Sequence, residues 1–183
     1  MDRTDKNVLP IQCAVDSSHK RIVWGVNFCP YAPSVLASGA RDGLVKIWKV
    51  EDTVVEGKME CTLKEVFAFS PTSKTPANKP ESVTSVSFAP LKCGTRAILA
   101  LGLENGLIEL WSIPLGDDML QGDGVRPEPF LCFSPHLCHI ATVTKLAWRP
   151  CRGTSQNDKR LVLASCSMDH ACRIFEIMVE SSS

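Results

Sequence analysis

The stretch GARDGLVKIW, Gly39 to Trp48, is spelled almost again as GLENGLIELW, Gly102 to Trp111. Each sets an acidic or amide residue before a glycine and closes an apolar run on tryptophan. A weaker third copy, CSMDHACRIF, runs from Cys166 to Phe175, with Asp169 in the place of Asp42 and Asn105. Upstream of the three copies lie VNFCP, VSFAP and LAWRP, ending on Pro30, Pro90 and Pro150; between the landmarks sit VLASGA, ILALGL and VLASCS. Three landmarks in one order, repeated at a nearly fixed period, are the signature of a repeat architecture.

Each unit reads as strands. Leu44 to Trp48 is rich in β-branched and aromatic residues, and Val26 and Phe28 alternate with Gly25 and Asn27, as a strand with one buried face requires. Asp42-Gly43 and Asn105-Gly106 are hairpin signals, because both pairs tolerate the positive φ of tight turns. Asp169-His170 lacks the glycine, so that turn is expected to be more strained or of another type. No long apolar stripe of helical period occurs, and the fold class is all-β. The segments EVFAFS (Glu65–Ser70) and PFLCFS (Pro129–Ser134) supply a fourth, outer strand ahead of the second and third copies, and VLPIQCAV (Val8–Val15) one ahead of the first. Four short strands closed by an aromatic make the blade of a β-propeller. The expectation is a partial β-propeller of about three four-stranded blades over residues 8–177, at approximately 8–50, 63–113 and 129–177, with flexible termini at 1–7 and 178–183. The segments EDTVVEGKMECT, PTSKTPANKP, PLGDDMLQGDGVRPEP and CRGTSQNDKR read as surface loops.

Composition narrows the function. Twenty basic and twenty acidic residues cancel, so no global field draws the chain to nucleic acid or an anionic membrane. No apolar run reaches the length of a membrane span, and no signal peptide core follows Met1. A cytoplasmic location, with a nuclear share, is the expectation. The nine cysteines contain no Cys-x-x-Cys pair, and Cys13, Cys29, Cys166 and Cys172 sit in apolar stretches, where they read as small buried hydrophobes. Cys132, His136, Cys138 and His139 crowd together in CFSPHLCH, but a structural zinc site draws ligand pairs from two separated segments. No second pair is evident, and no metal or other cofactor is expected.

His19, Ser38 and Asp42 invite a hydrolase reading. No Gly-x-Ser-x-Gly elbow or oxyanion device accompanies them, and Ser38 lies mid-strand. A hydrogen-bond chain fits better: Asp42 orients the His19 imidazole, which bridges to the Ser38 hydroxyl, which accepts from the Trp48 indole N–H. The arrangement resembles the structural tetrad of WD-repeat blades. The third unit keeps His139, Ser165 and Asp169 but ends in Phe175, which has no N–H to give. The second has Lys79, Leu101 and Asn105 before Trp111, and is expected to depend on plain apolar packing. No catalytic residue is assigned, and the chain is not expected to be an enzyme.

Longer phrases narrow the resemblance. SHKRIVWGVNF (Ser18–Phe28), ALGLENGLIELW (Ala100–Trp111), HIATVTKLAWRPCRG (His139–Gly153) and LASCSMDH (Leu163–His170) occur in that order. Together they resemble the carboxy-terminal end of the Elongator subunit-two family. That resemblance implies a non-catalytic scaffold whose partners are the other protein subunits of Elongator. The assembly modifies wobble uridine in transfer RNA, through catalytic chemistry in a different subunit. The alternatives are an interaction module of another complex, or a scaffold that itself touches transfer RNA through Lys20, Arg21, Arg149, Arg152, Lys159 and Arg160. Protein contact surfaces are expected on the loops Ser155–Arg160 and Pro114–Pro129. Three blades fall short of the four to eight that close a ring, so the expectation is a fragment whose remaining blades lie outside it.

Overall fold

The computed structural model describes residues 18–55, 58–115, 125–150 and 160–179. These form three antiparallel sheets. The first contains β1 (Val23–Cys29), β2 (Ala32–Ala40), β3 (Val45–Val55) and β4 (Lys58–Phe69), in that order. The second repeats the pattern with β5 (Val83–Cys93), β6 (Arg96–Leu103), β7 (Ile108–Pro114) and β8 (Glu128–Cys132). The third holds β9 (Val143–Trp148), β10 (Arg160–Ser167) and β11 (Cys172–Met178), with β10 in the middle. No helix occurs among the described residues. The result is a partial β-propeller: a stack of sheets not closed on itself.

Strand β6, RAILALGL, shows why the middle sheet is apolar on both sides. Ala97, Leu99, Leu101 and Leu103 point into the core shared with the first sheet, with Val35, Ala37, Val45, Ile47 and Phe88. Ile98 and Ala100 point the other way, into the core shared with Val143, Leu146, Leu161 and Leu163 of the third sheet. Side chains alternate across a strand, so a strand sandwiched between two sheets reads as an unbroken apolar run. Polar ties register the sheets. The Asn27 side-chain carbonyl accepts from the Phe88 amide at 2.8 Å, and the Leu146 amide donates to the Ser85 hydroxyl at 3.1 Å. The Trp148 indole N–H donates to the Ser87 carbonyl at 2.9 Å.

The three decapeptides form the β2–β3, β6–β7 and β10–β11 hairpins. Gly43 (φ 74°) and Gly106 (φ 89°) take the left-handed conformation these turns demand, and His170 (φ 64°) takes it in the third. The third hairpin is therefore the strained version of the same turn, because a Cβ in that region costs about 1 kcal/mol.

Several expectations change. The outer segments pair backward in the chain: β4 hydrogen-bonds to β3 and β8 to β7, so Glu65–Ser70 and Pro129–Ser134 extend the preceding sheets rather than opening the next. Antiparallel strands that follow one another in the chain pair without a crossover through another element. The segment EDTVVEGKMECT, read as a loop, is largely strand: Glu51–Val55 belong to β3 and Lys58–Thr62 to β4, in register from Glu51 opposite Thr62 to Val55 opposite Lys58. Met178, expected in a flexible tail, ends β11 opposite Arg160. Cys29 is buried, but Cys166 and Cys172 are exposed, because they stand on the third-sheet face turned away from the second sheet. The Val8–Val15 strand, Cys13 and the tails 1–7 and 180–183 lie outside the described residues.

Candidate functional site

Two hydrogen-bond chains dominate the polar interior. In the first sheet, His19 Nδ1 lies 3.2 Å from both Asp42 carboxylate oxygens, and its Nε2 lies 2.8 Å from Ser38 Oγ. The Trp48 indole N–H donates to the same Ser38 oxygen at 2.8 Å. Asp42 also accepts from the backbone amides of Lys20 and Leu44, at 2.9 and 3.1 Å, so one carboxylate caps the hairpin and pins the segment entering β1. With Nδ1–H directed at Asp42, Nε2 is the acceptor and the Ser38 hydroxyl donates to it. The serine oxygen is then occupied by the indole. The chain ends in the indole donor. Its chemistry is structural.

The third sheet repeats the head of this chain. His139 Nδ1 sits 2.9 and 3.1 Å from the Asp169 oxygens, and its Nε2 2.7 Å from Ser165 Oγ. Asp169 accepts from the Ile140 and Ala171 amides as well. Burial works against its ionisation, but the Ala171 amide, the His139 ring and the Ile140 amide outweigh it and hold the carboxyl at about 2. Phe175 ends the chain against Phe133, their ring centroids 4.7 Å apart.

In the second sheet, Asn105 retains only the turn cap, accepting from the Leu107 amide at 3.1 Å. Plain apolar packing is not what replaces the rest. Glu109, 1% exposed, accepts the Trp111 indole N–H at 2.9 Å. It also takes the Thr72 amide at 3.0 Å, the Thr72 hydroxyl at 2.8 Å and the Ser73 amide at 2.9 Å. Desolvation would raise its carboxyl, yet these donors bring it below the ordinary glutamate range. The signal for Glu109 was present in the sequence: an acidic residue two positions before Trp111, on the same strand face, inside an apolar run. Its partners come from a distant loop and left no local trace.

The crowded cysteines and histidines resolve into separate duties. His139 belongs to the hydrogen-bond chain. Cys138 is buried with its thiol pushed up by desolvation, and Cys132 is exposed with its sulfur 3.4 Å from Thr72 Oγ1. Among the described residues no group of three His, Cys, Asp or Glu side chains could hold a metal ion.

The basic residues offered for transfer RNA do not converge. Lys20 and Arg21 lie at the rim occupied by the hairpin turns, where the Lys20 amide meets Asp42. Arg149 and Arg160 lie at the opposite end of the third sheet, where the Arg149 amide meets the Val162 carbonyl and the Arg160 guanidinium meets Glu176 at 3.4 Å. Arg152 and Lys159 fall outside the described residues, as does nearly all of the Ser155–Arg160 loop and the centre of the Pro114–Pro129 loop.

What the structure does expose is apolar. Val26 and Phe28 on β1 are 64% and 56% exposed. Their counterparts in the second sheet, Val86 and Phe88, occupy the same register and are 6% and 4% exposed, because the first sheet covers them. An apolar row of this kind on a sheet face marks an interaction surface.

The family model described as "WD domain, G-beta repeat" matches residues 12–49. The chain is 30% identical to Elongator complex protein 2 of Arabidopsis thaliana over 159 residues, 86% of this chain and 17% of that protein. It is 31% identical to the protein of the same name in Drosophila melanogaster over 163 residues, and 29% identical to that of Dictyostelium discoideum over 168 residues. In both, 87% of this chain and 17% of the relative are covered. The chain thus spans about a sixth of the length of these curated relatives.

Proposed function

The chain is a WD-repeat β-propeller protein homologous to a stretch of Elongator complex protein 2, and from that premise we propose that it is a non-catalytic scaffold segment of the Elongator assembly. Its work is to hold other protein subunits in place in the complex that modifies wobble uridine in transfer RNA, in the cytoplasm and with a nuclear share. Transfer RNA is reached through the assembly, since among the described residues Lys20 and Arg21 lie at one end of the stack and Arg149 and Arg160 at the other. The observation that carries the reading is the open β1 face: Val26 and Phe28 are presented to solvent where the equivalent Val86 and Phe88 of the second sheet are sealed against a neighbouring sheet. Large exposed aromatics cost solubility unless a partner covers them, and aromatic anchors dominate protein–protein affinity.

The test is co-purification. Tagged chain expressed in cells is expected to recover Elongator subunits, and the Val26→Glu, Phe28→Glu double variant to lose them while its circular dichroism stays unchanged. Recovery that is indifferent to the double variant would remove this face from the reading. Absence of Elongator subunits from the wild-type eluate would remove the reading itself.

A further inference from the structure

The third sheet carries two exposed thiols that packing does not explain. Cys166 on β10 and Cys172 on β11 stand directly opposite each other in the ladder, both solvent-exposed. The pair next to them, Ser167 and Ala171, is closed by a backbone hydrogen bond of 3.2 Å. Antiparallel ladders alternate bonded and non-bonded pairs, so Cys166 and Cys172 form a non-bonded pair, the kind in which Cα atoms approach to about 4.5 Å and side chains lie closest. That separation falls at the short end of the range a disulfide can span.

The corresponding positions in the other sheets are not cysteine. Cys166 occupies the place of Gly39 and Gly102, and Cys172 that of Val45 and Ile108. A Cβ at Gly39 would meet Val83 Cγ1 at 2.6 Å, and one at Gly102 would meet Val143 Cγ1 at 2.6 Å. Where a sheet is stacked upon, this position must be bare. The third sheet instead places a thiol there, and its face is open to reagents in solution.

Lys145 on β9 is the register partner of Cys166 on the other side, so one row across the sheet reads Lys145, Cys166, Cys172. We propose that Cys166 and Cys172 are a reversible dithiol–disulfide site whose oxidant is an anionic low-molecular-weight disulfide of the glutathione class. The Cys166 thiolate attacks one sulfur of oxidised glutathione, forming a mixed disulfide and releasing one glutathione thiolate. Cys172, having lost its proton to solvent, then attacks the Cys166 sulfur, closing the cross-strand bond and releasing the second glutathione. Two protein thiols are oxidised, and one glutathione disulfide is reduced to two thiols. The Lys145 ammonium favours approach of the anionic reagent. The neighbouring Cys166 thiol raises Cys172, which suits it to the second, intramolecular step, where proximity replaces thiolate abundance. A bond formed at the short end of the permitted span is strained, and strained exposed disulfides are the ones readily reduced again.

The experiment equilibrates the folded chain in mixtures of oxidised and reduced glutathione, quenches with an alkylating agent and maps the peptides by mass. The expected product is an intramolecular bond between Cys166 and Cys172, lighter than the reduced chain by two hydrogens and reversed by reduced glutathione. Cys172→Ser is expected to stop at the Cys166 mixed disulfide. Lys145→Gln is expected to slow the first step several-fold at low salt, an effect that fades as salt screens the charge. Both variants replace exposed side chains, and circular dichroism checks that they fold. The proposal is overturned if Cys166 and Cys172 stay reduced where exposed Cys132 becomes glutathionylated, if each holds its own glutathione without closing, or if they pair only between chains.

Discussion

Glu109 reaches the indole N–H of Trp111 at 2.9 Å from two positions away on the same strand. Successive residues of one strand face are seldom partners, because side chains there stand parallel rather than converge. Here the carboxylate leans onto its neighbour while holding the Thr72 and Ser73 amides with its remaining lone pairs. The second sheet thereby anchors both its closing tryptophan and the loop that enters β5, without the histidine used in the other two sheets.

Removing that carboxylate should be costly. Glu109→Ala leaves the Trp111 donor and two backbone donors without partners in a site that water does not reach, and is expected to destabilise the chain by about 2 to 3 kcal/mol. Glu109→Gln is expected to recover only part of this, since its amide group turns a donor toward donors. Urea denaturation of the three proteins checks the order.

The two histidine chains should differ in what their serines are worth. Ser38→Ala strands both the Trp48 indole and the His19 ring nitrogen, whereas Ser165→Ala strands only the His139 nitrogen. Each buried orphan costs about 1 to 3 kcal/mol. Denaturant midpoints are expected to fall further for Ser38→Ala than for Ser165→Ala; equal losses would mean that the indole bond adds nothing.

His170→Gly is expected to stabilise the third hairpin. The residue sits at φ 64°, and relief of its Cβ strain, offset by the greater freedom of glycine when unfolded, should leave a net gain of about 0.5 kcal/mol. Thermal melts of the variant and parent measure it, and a lower melting temperature would show that the imidazole makes a compensating contact.

Acid should loosen the molecule through two carboxylates. Asp169 is held at about 2, below its ordinary value of about 3.9, and Glu109 is also lowered. A group whose folded value is depressed stabilises the fold above its unfolded value and loses that contribution as pH falls through the folded one. Stability is therefore expected to decline from about pH 4 toward pH 2. In Asp169→Asn that decline should be shallower: the variant is weaker than the parent at neutral pH and approaches it near pH 2. Chemical denaturation across this range tests the convergence.

Spacing and residue type alone marked the three hairpins, the strands on either side of them, and His19, Ser38, Asp42 and Trp48 as one chain of partners. Each of these is a local conformational preference or a position in a repeating register, and a repeat displays such things three times over. The outer strands were visible as strands, but their allegiance was not, because an apolar segment between two units can pair with either. Only hydrogen bonding showed that β4 continues the first sheet and β8 the second.

The sequence by itself determined a period, a turn and an alternation: the glycine or its strained substitute after Asp42, Asn105 and Asp169, and an apolar run wherever both faces of a strand are covered. Tertiary structure alone decided which faces those were. It buried Phe88 and exposed Phe28 at the same register, gave Glu109 its partners from a loop far away in the chain, and left Cys166 and Cys172 on open ground. Backbone preferences are written into neighbouring residues, whereas burial depends on what arrives from elsewhere in the chain, and identical phrases in different sheets meet different neighbours.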